Sequence, residues 1–218
     1  MNTNLKLYQS NGSPNSRRVR IFLAEKGITV TQVPVDLGAR EQFSDTYAVI
    51  NPRRVVPTLV LQDGTAIGEV PAIMRYLDEA FPDTPLLGSG PTEKAVVQMW
   101  ERRMELEGFA AVMETVRNRA AGLKDRAISG PHDYGQIPAL VDRGMARVRD
   151  FYADLEARLC EQPFVAGPLI SAADITAFVT IDFATNALQL GIHEANGETQ
   201  RWYDVLAARQ AFRPDLVW

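Results

Sequence analysis

The sequence predicts a two-part chain: an α/β region of thioredoxin-like element order, then an all-helical region. Three observations carry that prediction. Up to Phe81, apolar spacing switches between the period of strands and the period of helices. Phe81 to Pro91 then gathers Pro82, Pro85, Pro91, Gly88 and Gly90, the composition of a linker. From Thr92 onward the pattern turns helical and stays so.

Leu5 and Leu7 alternate with Lys6 and Tyr8, as a short strand should. The polar loop Q-S-N-G-S-P-N-S leads into a helix with Pro14 at its first position, Ser13 as N-cap and Gly27 as its stop. Val19, Phe22, Leu23 and Lys26 share one mostly apolar face of it. Thr29 to Val35 is a β-branched strand, and Glu41 to Ile50 is a weaker helix closed by Asn51-Pro52. The stretch from Arg53 to Phe81 organises the region as strand, turn, strand and helix. Thr58 to Leu61 is its first strand, Asp63-Gly64 a two-residue hairpin signal, and Thr65 to Ile67 its second strand. Pro71 opens the helix at its first position, with Ile73, Leu77 and Phe81 on one face. Pro57 precedes the first strand, where it need not donate to the ladder; by base rate its peptide bond is trans. The order β-α-β-α-β-β-α is that of a thioredoxin-like domain.

The expected division is therefore 1–81 for the α/β domain, 82–91 for the linker and 92–218 for the helical domain. In the latter, Val96, Met99, Trp100, Arg103 and Met104 mark one helix. Ile137, Leu140, Val148, Phe151, Leu155 and Leu159 mark another, beyond the loop I-S-G-P-H-D-Y-G-Q. Ser171 and Asp174 form an S-x-x-D capping box ahead of Ile175, Phe178 and Val179. The segment R-W-Y-D-V-L-A-A-R-Q-A-F-R is the final helix.

At 218 residues the chain holds one large domain or two small ones. A net charge of −4 argues against nucleic acid as a partner. No apolar run approaches the ~20 residues that cross a bilayer, so no membrane role is expected. M-N-T-N-L-K-L-Y carries no basic-then-apolar signal, and a cytoplasmic location is expected. The single cysteine, Cys160, excludes an internal disulfide framework and C-x-x-C chemistry; it is expected as a small buried filler. His132 and His193 are the only histidines, and no spacing pairs them with Cys160 as ligands, so no metal is expected.

V-P-T-L, then D-G, then I-x-E-x-x-A-I-x-x-Y-L resembles the glutathione-binding half of cytosolic glutathione transferases. V-A-G-x before the S-x-x-D box resembles the capping motif of the buried central helix in that family's C-terminal domain. The resemblance implies a cis Val56–Pro57 bond, with the Val56 main chain paired, strand-like, to the cysteinyl part of glutathione. It implies Gln42, with Arg40 nearby, for the glycyl end, and Glu69 with the Val70 amide for the γ-glutamyl end. Relatives carry a hydroxyl or thiol where this chain has Val70, and many carry glycine where it has Arg53 and Arg54. These arginines either meet a carboxylate or are solvated loop charges.

Such an enzyme must ionise a thiol whose free pKa is ~8.5, and a hydroxyl at a helix N-terminus does this with one hydrogen bond plus the helix dipole. S-P-N-S-R-R-V-R resembles the serine-type classes, which places that role on Ser13; the alternative is that Ser13 only caps its helix. The run is also similar to bacterial and fungal members with S-P-x-x-x-R-V-R, some of which form the thiolate through a water held by polar groups. In that case Asn15 or Asn118 takes part; otherwise Asn118 is a solvated helix residue. Tyr8 is expected as an interior-packed ring.

The resemblance implies a glutathione transferase of detoxification type, a homodimer that adds the glutathione thiol to small hydrophobic electrophiles. Glutathione is the co-substrate. The electrophile pocket would draw on the loop after Ser10 and on Met113 to Leu123. Two other readings stay open. One is a non-catalytic ligand-binding or interaction protein on the same fold, which Val70 favours. The other is a glutathione-dependent isomerase of maleylacetoacetate type, since R-E-Q-F-S and N-P-R-R-V-V-P-T-L resemble the zeta class, although S-P-N stands in place of its S-S-C run.

Overall fold

Residues 2–213 are described by a computed structural model, so the last five positions of the expected helical domain lie outside the described residues. Among these residues the chain divides into two compact units. The first runs through Pro85 and takes in Ser129–Pro131; the second is Leu86–Ile128 with the chain from His132 on.

In the first unit β1 (Asn2–Gln9) pairs in parallel with β2 (Thr29–Pro34), and α1 (Pro14–Glu25) makes the crossover. β1 also pairs antiparallel with β3 (Thr58–Val60), and β3 with β4 (Ala66–Ile67), giving the order β2-β1-β3-β4. α3 (Val70–Ala80) packs on α1, and Val19, Phe22 and Leu23 of one helix and Ile73, Met74 and Leu77 of the other are all buried. Lys26, on the apolar face, is neutralised rather than exposed: its ammonium lies 2.8 Å from the Asp78 carboxylate, and both side chains are almost wholly shielded. Ser13 caps α1 and Gly27 ends it with φ +64°.

Three local expectations are corrected. The helix over 41–50 is two pieces, a 3-10 turn Glu41–Phe43 and α2 (Asp45–Ile50), because the Ser44 hydroxyl accepts from the Tyr47 amide and starts a new helix. The hairpin is wider than two residues: Val60 pairs with Ala66, and residues 61–65 turn with Asp63 accepting from the Thr65 amide. Pro71 stands one place inside α3, behind Val70.

In the second unit α4 (Pro91–Arg103), a π-helical turn (Met104–Phe109) and α5 (Ala110–Arg119) run on without a break. The wide turn frees main-chain acceptors, and Arg147 donates to the Leu106 carbonyl at 2.6 Å. α6 (Ala139–Glu161) packs on α5 so closely that a Cβ on Gly144 would stand 2.0 Å from the Thr115 hydroxyl. α7 (Ala172–Leu188) is buried on every side from Ala172 to Ile181, as a central helix must be, and residues 185–187 near its end are exposed. α8 (Gly197–Ala207) closes the unit; the expected final helix stops there and resumes only as a 3-10 turn over Gln210–Phe212.

The capping box at the head of α7 is present and extended. Asp174 is fully buried and accepts from the Ser171 amide and hydroxyl at 2.9 Å, the Val165 amide at 2.8 Å and the Trp202 indole at 2.9 Å. Burial pushes its carboxyl up from the ordinary range, and these donors oppose the shift. Glu156 of α6 caps α8 in the same way, accepting from the Glu198 and Thr199 amides at 3.0 and 2.8 Å.

The apolar face expected for α4 is off by one position. Val97, Glu101 and Met104 are buried, whereas Met99 is exposed and Trp100 lies sandwiched by the Arg103 and Arg158 guanidiniums at 4.6 and 4.3 Å. Ile137 is likewise exposed, ahead of α6. Cys160 is exposed on α6 and does not fill the core. No described helix is long and apolar enough to cross a membrane.

Candidate active site

Ser13 is buried at the head of α1, where its hydroxyl accepts from the Ser16 amide at 3.3 Å. That bond uses an acceptor lone pair and leaves the O–H proton to donate. The loop leading to it is pinned by Arg20, which donates to the Gln9 side chain at 2.6 Å and to the Ser10 carbonyl at 3.3 Å. Burial, with Arg17 nearby, lowers the Arg20 pKa to about 10, which still leaves it charged at neutral pH. Asn15 sits half-buried in the first turn of α1, its oxygen accepting from Arg18 at 3.2 Å.

Gln42 is buried in the 3-10 turn, and its amide oxygen has no hydrogen-bond partner among the described residues. The orphaned atom is an acceptor and fits a ligand N–H, whereas a carboxylate would have to meet the Gln42 N–H₂ instead. Arg40 is exposed in a left-handed conformation with its guanidinium 5.7 Å above the Phe43 ring. Arg54 is half-buried with φ +54°, the conformation in which glycine costs least, and it donates to the Phe43 carbonyl at 3.1 Å. The expectation of a solvated charge thus holds for exposed Arg53 but not for Arg54, which braces the Gln42 turn.

The Val56–Pro57 bond is cis, as the family resemblance implied and against the base-rate expectation. Its loop is held by groups the sequence did not single out. Asn51 donates to the Val55 carbonyl at 3.1 Å and the Thr58 hydroxyl at 2.8 Å, and accepts from the Arg53 amide at 2.9 Å. The Tyr47 hydroxyl donates to the same Val55 carbonyl at 2.7 Å, and burial pushes its pKa up. Tyr8 packs edge-on against that ring at 6.2 Å, the interior position expected of it. Asn51-Pro52 was legible only as a helix stop. Among the described residues the Val56 amide and carbonyl make no main-chain hydrogen bond.

Glu69 is exposed and held at φ +63°, ψ +123°, a strained combination for a residue with a side chain. α3 has no side-chain cap, so the Val70 amide in its first turn is left with the positive end of the helix dipole. The Val70 side chain is 4% exposed and belongs to the core.

Asn118 belongs to the second unit, and the expectation of a solvated side chain fails there. It is buried, its amide donates to the Glu114 carbonyl at 2.8 Å, and its oxygen accepts from the Ile137 amide at 2.8 Å. Its oxygen thus holds the entry to α6, while its amide ties back to α5 one turn earlier. Among the described residues no group of three or more His, Cys, Asp or Glu could hold a metal.

Fold and site together define a two-unit protein whose α/β half carries the cis Val56–Pro57 loop, the Gln42 turn and the uncapped head of α3. Residues 7–85 match the family described as the glutathione S-transferase N-terminal domain. Glutathione S-transferase 2 of Saccharomyces cerevisiae is 30% identical over 98% of this chain and 90% of its own length. A glutathione S-transferase domain-containing protein of Marinobacter aquaeolei VT8 has a similar crystal structure, with a TM-score of 0.88 at 34% identity, covering 95% of this chain and all of that one. The maleylacetoacetate isomerase of Rattus norvegicus is 42% identical, but over 43% of this chain and 44% of its own length. The chain belongs to the glutathione S-transferase family.

Proposed function

We propose that the protein is a glutathione transferase that binds glutathione on its α/β unit and activates the thiol for attack on small hydrophobic electrophiles. The single observation that carries the binding site is that the Val56 amide and carbonyl make no main-chain hydrogen bond among the described residues, which leaves a donor and an acceptor for an extended peptide. Gln42 and Arg40 take the glycyl end, Pro57 fixes the loop, and Glu69 with the Val70 amide takes the γ-glutamyl carboxylate at the uncapped helix end. Ser13 donates to the thiolate, with Asn15 beside it, and Asn118 fixes the helical unit's loop. The match to isomerases covers less than half of either chain and gives no separate support to isomerase chemistry. Detoxification in the cytoplasm is the setting we assign to this reaction. Retention on immobilised glutathione together with conjugation of a chromogenic electrophile tests it; neither would be seen in a non-catalytic protein of this fold that lacks the ligand.

Ser13→Ala is expected to lower conjugation by less than about tenfold, the scale of one ordinary hydrogen bond. Steady-state rates on both forms check this. A fall of about a thousandfold with unchanged glutathione affinity would make Ser13 the main donor.

The working particle is proposed as a homodimer, in line with the family resemblance. Exposed Met99 on α4 and the solvent face of α3 around Tyr76 to Ala80 supply surface for it. Scattering that gives the mass of a single chain at working concentration would exclude the dimer.

A further inference from the structure

Arg18 is 1% exposed, although arginine is among the residues least often fully buried. One of its nitrogens lies 3.2 Å from the Asn15 side-chain oxygen, three residues back in the same helix turn. A guanidinium has donors only, so it fixes which end of the Asn15 amide faces inward. The oxygen is held against Arg18, and the two N–H donors are turned away from it. Ser13, two residues earlier, is arranged alike: the Ser16 amide occupies its oxygen and leaves its proton to donate. Both side chains at the head of α1 thus have an acceptor function engaged by fixed donors, and what they retain is the capacity to donate to an anion.

We infer that Arg18 is a positioning residue for thiol activation: it orients the Asn15 amide so that Asn15 and Ser13 donate jointly to the glutathione thiolate. The inference rests on the functional reading above. The deprotonated thiol receives two weak donors instead of one strong one, and the proton it loses goes to solvent. Either donor alone is then dispensable at modest cost, which agrees with the small effect expected of Ser13→Ala.

The test is the pKa of the bound thiol, read from the ultraviolet absorbance of the thiolate during a pH titration with saturating glutathione. Asn15→Ala is expected to raise that pKa by about one unit, which lowers conjugation below it about tenfold and leaves the high-pH limit unchanged. Arg18→Lys keeps the charge but loses the planar fork, and is expected to raise the pKa similarly. The double variant is expected to match Asn15→Ala alone. Additive shifts would mean that Arg18 acts by its charge and not through Asn15, which overturns the inference. Asn15→Ala sits on a half-exposed turn and decides the matter even if Arg18→Lys fails to fold: an unmoved thiol pKa overturns the proposal. A wild type that binds no glutathione, by calorimetry, overturns the functional reading as well; one that binds it and is insensitive to Asn15→Ala overturns this inference alone.

Discussion

Asp174→Ala is expected to lose about 4 kcal/mol or more of folding stability, against a total of roughly 5–15 kcal/mol for a domain. The carboxylate is the shared acceptor for the Val165 and Ser171 amides, the Ser171 hydroxyl and the Trp202 indole, all at 2.8–2.9 Å. The hydroxyl can rotate to another partner, but two amides and an indole cannot, and each buried donor left unmade costs about 1–3 kcal/mol. The losses fall on three places at once: the segment before α7, the head of α7 and the Trp202 face of α8. Asp174→Asn keeps one oxygen for Val165 and Trp202 but sets an N–H₂ against the Ser171 amide, and should cost roughly half as much. Urea denaturation followed by circular dichroism measures both. An alanine variant within about 1 kcal/mol of wild type would show that water enters and replaces the carboxylate.

Val70→Ser is expected to tighten glutathione binding by at least about fivefold, because a second donor would join the residue-70 amide at the γ-glutamyl carboxylate. A hydrogen bond to a charged group is worth ~1.5–3 kcal/mol, and each tenfold in affinity is ~1.4 kcal/mol. At an exposed helix end such an exchange would cost the fold little. The 4% exposure of Val70 says otherwise: losing its two methyls should cost roughly 1–2 kcal/mol of stability. The variant is thus expected to bind more tightly and melt lower. Calorimetry and a thermal melt on both forms decide it. Equal affinities with a tight wild type would mean that other groups already satisfy that carboxylate.

What was legible in the sequence was local. The Ser13 and Ser171 caps, the Gly27 stop and the order of strands and helices each depend on residues within a few positions, and each was found. Contacts across long separations left no local trace. Glu156 capping α8 from α6, Asn118 holding Ile137, and Asn51 and Tyr47 bracing the Val55–Thr58 loop are of this kind. Arg54 was readable as a departure from glycine but not as the brace of the Gln42 turn, since that depends on where a half-buried guanidinium reaches. Cys160 was misjudged because a small apolar side chain carries no sign of which helix face it occupies.

The wide turn that follows α4 has a consequence of its own. The π turn at Met104–Phe109 accommodates one extra residue in an otherwise α-helical path, so the helix before it and the helix after it follow different frames. Each helical residue advances about 100° around the axis. In an ordinary helix an added residue would swing Val112, Thr115 and Asn118 by that angle, off their buried positions; the wide turn takes the residue up instead, and a one-residue deletion there should close it to regular α-helix with those side chains still in place. Length is therefore less tightly constrained here than inside α4 or α5: exposed Leu106 should accept most side chains, and its removal should still yield soluble protein. Comparing soluble yields of a one-residue deletion at Leu106 and one inside α5 would measure the difference, and single-residue gaps in alignments should fall in this segment.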